Sequence, residues 1–175
     1  MEALIEILKI ILPATLVMYG MYIAIKSMIS KSLLSKELDL KLKSLEVTLP
    51  VRMQAFERMT LFLERISPDS MLVRLNRQGM TASELHYVVL EEIRNEFNHN
   101  VAQQVYLSPK IWSNILVAKE DFITKANATF QEIDNDAPSI DYAKKLLELK
   151  VATDIDSIEY ALTSLKDELS KYYQI

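Results

Sequence analysis

Three residues of this 175-residue chain have the types and spacing of a metal site: Glu92, Glu96 and His99. Spacings of four and three residues place them on one face of a helix. Ferritin-like bundles bind iron with such a Glu-x-x-His pair, a second pair and two further glutamates. Ser83 stands where the second pair, ending at His86, would need a glutamate. Because half of the ligand set is missing, a metal-dependent enzyme is only the alternative prediction. We expect these residues to form either a polar helix face or an acid–histidine patch packed against arginines.

Five arginines fall between residues 50 and 79, a stretch that contains no lysine: Arg52, Arg58, Arg65, Arg74 and Arg77. Guanidinium groups suit bidentate pairing inside a fold. Because Glu57 and Glu64 are interleaved with them, we predict an ion-pair lattice. A phosphate or nucleotide site is the alternative, and it would make the chain an anionic-ligand-sensing regulatory module. The chain has no glycine-rich loop of the kind that cradles phosphates.

Composition excludes several other classes of function. The chain has no cysteine, so disulfides, thiolate zinc sites and thiol catalysis are ruled out. Its formal net charge of −4 argues against nucleic-acid binding. No sequence typical of a serine-nucleophile elbow or a calcium loop is present. We predict no catalytic residues and no cofactor.

One stretch, residues 10–25, has 16 residues without a charge. Extending it back to Ala3 gives 23 residues and admits only Glu6 and Lys9, enough to cross a hydrocarbon core about 30 Å thick. We predict a single transmembrane anchor within residues 1–27. The residues expected at the membrane edges are Lys9, Tyr22, Lys26, Lys31 and Lys36. Gly20 and Ala24 form a small-x-x-x-small pair that permits close helix packing in the membrane.

Charge is distributed unevenly around this stretch. Residues 1–25 carry a net −1, residues 26–79 a net +4 and residues 80–175 a net −7. Lysine and arginine gather on the cytoplasmic side of a span and are attracted to anionic lipid. We therefore predict a single-pass protein of the bacterial inner membrane, with its N-terminus outside and its C-terminal body in the cytoplasm.

The remainder predicts an all-α fold: an N-terminal transmembrane helix, a juxtamembrane helical segment at 28–49, and a soluble bundle of about four to five helices at 50–175. Caps and breaks at Ser67-Pro68, Gly79, Thr81–Glu84, Ser108-Pro109 and 136–139 predict helices near 50–66, 68–78, 82–107, 109–134 and 140–173. Residues 38–53 are ambiguous. A 4-3-4 leucine spacing favours a coiled-coil or bundle helix, but alternating apolar residues also fit a strand.

Apolar stripes at helical spacing predict the core of the bundle. The first comprises Leu85, Val89, Ile93, Phe97, Val101 and Val105, together with Glu92. The second comprises Trp112, Ile115, Phe122, Ala126, Phe130 and Ile133, together with Lys119. The third comprises Leu147, Val151, Ile155, Ile158, Leu162, Leu165, Leu169 and Tyr172.

Two runs carry a resemblance: LPVRMQAFERMTLFLERISP, from Leu49 to Pro68, and EIRNEFNHNVAQQVYLS, from Glu92 to Ser108. With the N-terminal span, they resemble an uncharacterised bacterial family of small membrane-anchored helical proteins. The resemblance covers about the first two thirds of the chain. It implies a bacterial membrane setting and transfers no catalytic residue.

These observations lead to one functional prediction. We expect a non-enzymatic, membrane-anchored scaffold, adaptor or accessory subunit of a membrane protein complex. Its partners would be membrane lipid and either further copies of the chain or other membrane protein subunits.

Overall fold

The computed structural model describes residues 2–152 and 156–173, and within these ranges the fold is helical. It contains α1 (Glu2–Ile66), α2 (Pro68–Leu75), α3 (Ala82–Asn100), α4 (Pro109–Gln131), α5 (Ser139–Ala152) and α6 (Ser157–Tyr173). A 3₁₀ segment, Val101–Tyr106, lies between α3 and α4. The chain divides into two compact units, Met1–Leu49 and Pro50–Ile175, and we call the second unit the body. The all-α prediction is confirmed.

Residues 38–53 are helical, so the prediction of a helix is confirmed and the strand alternative is wrong. A strand needs a partner for its backbone groups, whereas a helix satisfies them internally. The helix continues through Pro50, so the helix start predicted near residue 50 is wrong. Proline removes one backbone donor from the helical hydrogen-bond ladder, but the α-helix extends on both sides of Pro50.

Local capping chemistry sets most of the helix starts in the body. Thr81 and Glu84 form the predicted capping box: the Glu84 N–H donates to Thr81 Oγ1 at 3.2 Å, and the Thr81 N–H donates to the Glu84 carboxylate at 3.0 Å. Ser108 accepts from the Ile111 N–H at 3.3 Å and begins α4. Gly79 has a φ of +87°, a backbone conformation that favours glycine, in the turn between α2 and α3.

The predicted ends of α2 and α3 are wrong. Helix α2 ends at Leu75 rather than at 78. Helix α3 ends at Asn100, and the 3₁₀ segment that follows has no buried residue, so Val105 is exposed instead of lying in the core. A tighter 3₁₀ turn changes the angular spacing of side chains and ends the 3.6-residue stripe.

The segment predicted as one helix over 140–173 is two helices, α5 and α6. Asp156 caps the second of them, because its carboxylate accepts from the Ile158 N–H at 2.9 Å and its backbone carbonyl from the Tyr160 N–H at 2.9 Å. Because of this break, the described residues of the body form six helices, counting the end of α1, instead of the predicted four to five. The predicted core residues Val151 and Ile155 lie outside the residues whose side chains the structure describes.

One core in the body collects residues from all six helices. Helices α3, α4 and α6 contribute most of the apolar stripes predicted above. The core residues outside those stripes include Phe56, Met59, Phe62, Leu63 and Ile66 of α1, Met71 and Leu72 of α2, and Tyr142, Ala143 and Leu146 of α5. Lys119 is the polar exception in its stripe. Its Nζ lies 4.3 Å from the centroid of the Phe97 ring and 2.7 Å from Glu120, which accounts for an ammonium group at a largely buried position.

Polar pairs align α4 and α6 as antiparallel neighbours. The Ser108 hydroxyl donates to the Glu168 carboxylate, Asn114 Nδ2 donates to Ser164 Oγ at 3.1 Å, and the Ser157 hydroxyl donates to Asp121. Each step forward along α4 matches a step backward along α6. These bonds fix the register of the two helices, which apolar packing specifies only loosely.

Candidate functional site

The apolar N-terminal part of α1 is exposed along its described length. Its large side chains from Ile11 to Leu34 are about half or more accessible to solvent. Within the described residues, one helix is long and apolar enough to cross a membrane, and it lies near the N-terminus. Soluble proteins rarely expose contiguous apolar surface of this extent. This surface therefore needs a covering that the body's own core does not provide.

The predicted flanking residues all lie on this exposed helix. The side chains of Lys9, Tyr22, Lys26, Lys31 and Lys36 are exposed. A methyl group added at Gly20 would meet no atom within 4 Å, so this face of the helix is open. Lys9 therefore precedes the apolar stretch, and Lys26, Lys31 and Lys36 follow it, as exposed charges.

In the body, the two predicted polar groups meet each other. Arg65 Nη2 lies 2.7 Å from Glu96 Oε1 and 3.9 Å from Glu92 Oε1. Arg74 donates to the same Glu92 oxygen, and its second nitrogen donates to the Arg65 backbone carbonyl at 3.3 Å. We call these four residues the Arg–Glu cluster. Of the acid–histidine patch predicted to pack against arginines, the structure places Glu92 and Glu96, without His99, against Arg65 and Arg74.

His99 takes no part in the cluster. Its Nδ1 lies 2.7 Å from the Asn95 carbonyl oxygen, one turn back in α3, so this nitrogen carries the proton and donates. Among the residues that the structure describes, no three His, Asp or Glu side chains are grouped so that they could hold a metal ion. Glu92 and Glu96 instead have guanidinium partners.

Of the other predicted arginines, Arg52 and Arg77 lie apart from the cluster, whereas Arg58 lines a groove beside it. Arg52 donates to Tyr172 Oη at 2.8 Å and sits over the same ring at 5.5 Å, tying α1 to the end of α6. Arg58 and Arg65 line an open groove of about 400 Å³ that also carries the carboxylates of Glu57 and Glu96. Arg77 lines a separate hollow beside the Gly79 turn. The five arginines therefore do not converge on one anion site.

Sequence reasoning missed a buried polar group formed by His86 and Tyr142. The Tyr142 hydroxyl donates to the Ala126 carbonyl at 3.2 Å and lies 2.9 Å from His86 Nδ1. Because that hydroxyl proton is already used, His86 Nδ1 must donate to the phenol oxygen, which leaves Nε2 without the proton. The His86 ring also stacks on Phe130 at 4.2 Å. The sequence offers one signal for this group: His86 directly follows Leu85, a predicted core residue, and therefore lies at the edge of the buried face of α3.

Stability should fall as the solution is acidified below about pH 6.5, because of His86. Burial lowers the pKa of His86 from its ordinary 6.5. The unfolded chain then binds more protons than the folded chain between the lowered pKa and 6.5. The stabilisation is complete above 6.5 and is lost as the pH falls through that window. Urea midpoints measured across this range should decrease towards acid.

Two variants distinguish the contribution of His86 to the pH dependence of stability from the contributions of other residues. H86F should flatten the pH dependence in this window, whereas H99Q, at the exposed histidine, should leave it intact. Asp121 acts at lower pH: burial raises its pKa, but hydrogen bonds from Lys125 and Ser157 outweigh this and lower it below 3.8. An unchanged slope in H86F would refute the assignment.

A family model matches residues 2–172, nearly the whole length of the chain, and its description is a family of unknown function, DUF7935. The match covers both runs on which the resemblance rested. No curated protein and no solved structure gives a significant match. The chain therefore belongs to the DUF7935 family, and the expectation of an uncharacterised family is confirmed.

Proposed function

We propose that this chain is a non-enzymatic, single-pass protein of the bacterial inner membrane that acts as a scaffold, adaptor or accessory subunit of a membrane protein complex. The single observation that carries the proposal is the exposed apolar surface of α1 between Ile11 and Ile25. A bilayer covers such a surface without any specific partner. Extended back to Ala3, the stretch has 23 residues, and about 20 residues span the hydrocarbon core.

The features of the body support binding rather than chemistry. Its most suggestive carboxylates, Glu92 and Glu96, accept from Arg65 and Arg74. Both carboxylates are thus engaged in ion pairs within the body. The body therefore offers a packed helical surface for binding.

The charges beyond the apolar stretch support the proposed orientation. Lys26, Lys31 and Lys36 are exposed and follow the stretch directly. Near anionic lipid each such charge contributes about 1 kcal/mol. The acidic residues 80–175 lie further along the chain, which reduces repulsion between the body and the leaflet.

Membrane extraction tests the anchor. The full chain should stay in the membrane pellet after an alkaline wash and be released only by detergent. V17R should move a large fraction of the chain to the supernatant, because an arginine at the centre of a span opposes insertion by about 2.5–3.5 kcal/mol. L40R, which places the same charge at an exposed leucine outside the apolar stretch, is the matched control and should remain in the pellet.

Two results would refute the anchor. One is the wild-type chain in the soluble fraction without detergent. The other is equal release of V17R and L40R. Folding of the body is checked in each sample by the fluorescence of Trp112, the only tryptophan of the chain.

A further inference from the structure

We propose that residues 38–49 of α1 form the seam of a parallel dimer between two copies of this chain. The seam consists of Leu38, Leu42, Leu45 and Leu49, at spacings of four, three and four. The parallel direction rests on the proposed function, because two copies anchored in one membrane in one orientation must run the same way.

The seam leucines are available for a partner. Leu38, Leu42 and Leu45 are exposed, with 63% of Leu42 accessible, and Leu49 is half-buried. The same heptad register continues to Phe56, Met59 and Leu63, which are buried in the core of the body. The a and d positions of this register are therefore buried within the body, whereas those at residues 38–45 are exposed to solvent.

Charge complementarity favours a second copy as the occupant. With Leu42 and Leu49 at a positions and Leu38 and Leu45 at d positions, Lys41 falls at g and Glu46 at the following e. In a parallel dimer, each g residue faces the e′ residue of the next heptad on the partner helix. Lys41 of each copy then faces Glu46 of the other, and the symmetry produces this attractive pair twice.

A second apolar line on the same helix is the competing face. Leu33, Leu40 and Val47 are exposed and all fall at f positions, seven residues apart. One apolar residue per heptad makes a narrower stripe than the two per heptad of the seam. We therefore assign the dimer contact to the a and d positions and use the f positions as controls.

The seam covers only about two heptads, which is short for a coiled coil in solution. Anchoring both chains in one membrane raises their effective concentration and removes most of the orientational cost of association. The dimer should therefore form in membranes and dissociate readily once the chains are diluted in detergent.

Cysteine cross-linking in membranes tests this arrangement cleanly, because the chain contains no cysteine of its own. L42C and L45C should give disulfide-linked dimers under mild oxidation, since disulfides need Cβ atoms about 3.5–4.5 Å apart. L40C and V47C, at equally exposed f positions, should give about tenfold less. Equal cross-linking at all four positions, or more at 40 and 47, would overturn the seam.

Charge exchange in the L42C background tests the pairing of Lys41 with Glu46. K41E and E46K should each lower the cross-linked fraction about two- to fivefold, because each places like charges across the dimer. The double variant K41E/E46K should restore it. Failure of the double variant to recover would refute a parallel dimer in this register.

The anchor and the seam fail in different ways. Each cysteine variant is first washed at alkaline pH. A chain that stays in the membrane but does not cross-link at 42 or 45 refutes the seam and leaves the anchor standing. A chain recovered in the soluble fraction refutes the anchor and, with it, the parallel dimer.

Discussion

Replacing Phe62 with alanine should lower the free energy of unfolding of the body by about 3–5 kcal/mol. The Phe62 side chain is completely buried, and its ring centroid lies 6.0 Å from that of Phe97. Truncation leaves a cavity where α1 meets α3. Because small domains are stable by only about 5–15 kcal/mol, this single change would remove much of the margin.

Trp112 gives a direct measurement of this effect. It is the only tryptophan, and its ring stacks on Phe97 at 5.7 Å. Urea unfolding followed by its fluorescence, in mild detergent, should show a lower midpoint with a similar slope. The matched control is L61A, at the adjacent residue, which is 54% exposed. It should change the stability by less than about 0.5 kcal/mol. Equal losses in F62A and L61A would contradict the packing described here.

The sequence could predict elements whose signals are local. The capping box at Thr81–Glu84 and the serine cap at Ser108 each depend on residues three apart, and both are present in the structure. The helix predicted near 50–66 is likewise present, as the end of α1, and its residues Phe56, Met59 and Leu63 lie in the core. Such features depend on neighbours in sequence and need no knowledge of the tertiary fold.

The predicted helix boundaries were wrong where tertiary contacts or an additional capping residue determine where a helix begins or ends. The apolar stripe through 147–172 has helical spacing throughout, so periodicity alone predicts one helix. The cap at Asp156, with Glu159 three residues later, was the signal for a second start. The change to a 3₁₀ segment after Asn100 has no comparable local signal, since 101–106 contains neither glycine nor proline.

In the candidate site, too, the sequence predicted the residues that share a helix but not the contacts between helices. Helical spacing placed Glu92 and Glu96 together, because both are on α3. Their partners, Arg65 and Arg74, come from α1 and α2, and only the fold brings these three helices to one point. Similarly, His86 and Tyr142 are 56 residues apart, so their hydrogen bond could not be read from spacing.

The orientation of the chain in the membrane should follow its lysines. Within about 15–20 residues of the apolar stretch, one lysine precedes it and five follow it, counting Lys26, Lys31, Lys36, Lys41 and Lys43. A fluorescent protein fused after residue 175 should therefore glow, and a phosphatase that is active only outside the cytoplasm should be inactive at the same place.

A charge variant shows whether these lysines cause the orientation. K26Q/K31Q/K36Q leaves two lysines after the stretch against one before it, so a mixed population with measurable phosphatase activity is expected. Replacing three lysines of the distant body, K144Q/K145Q/K166Q, removes the same charge and should leave the orientation unchanged. Phosphatase activity in the unmodified fusion would place the body outside the cytoplasm. The acidic residues 80–175 would then need an explanation other than avoidance of the anionic leaflet, and the search for partners would have to move to the other side of the membrane.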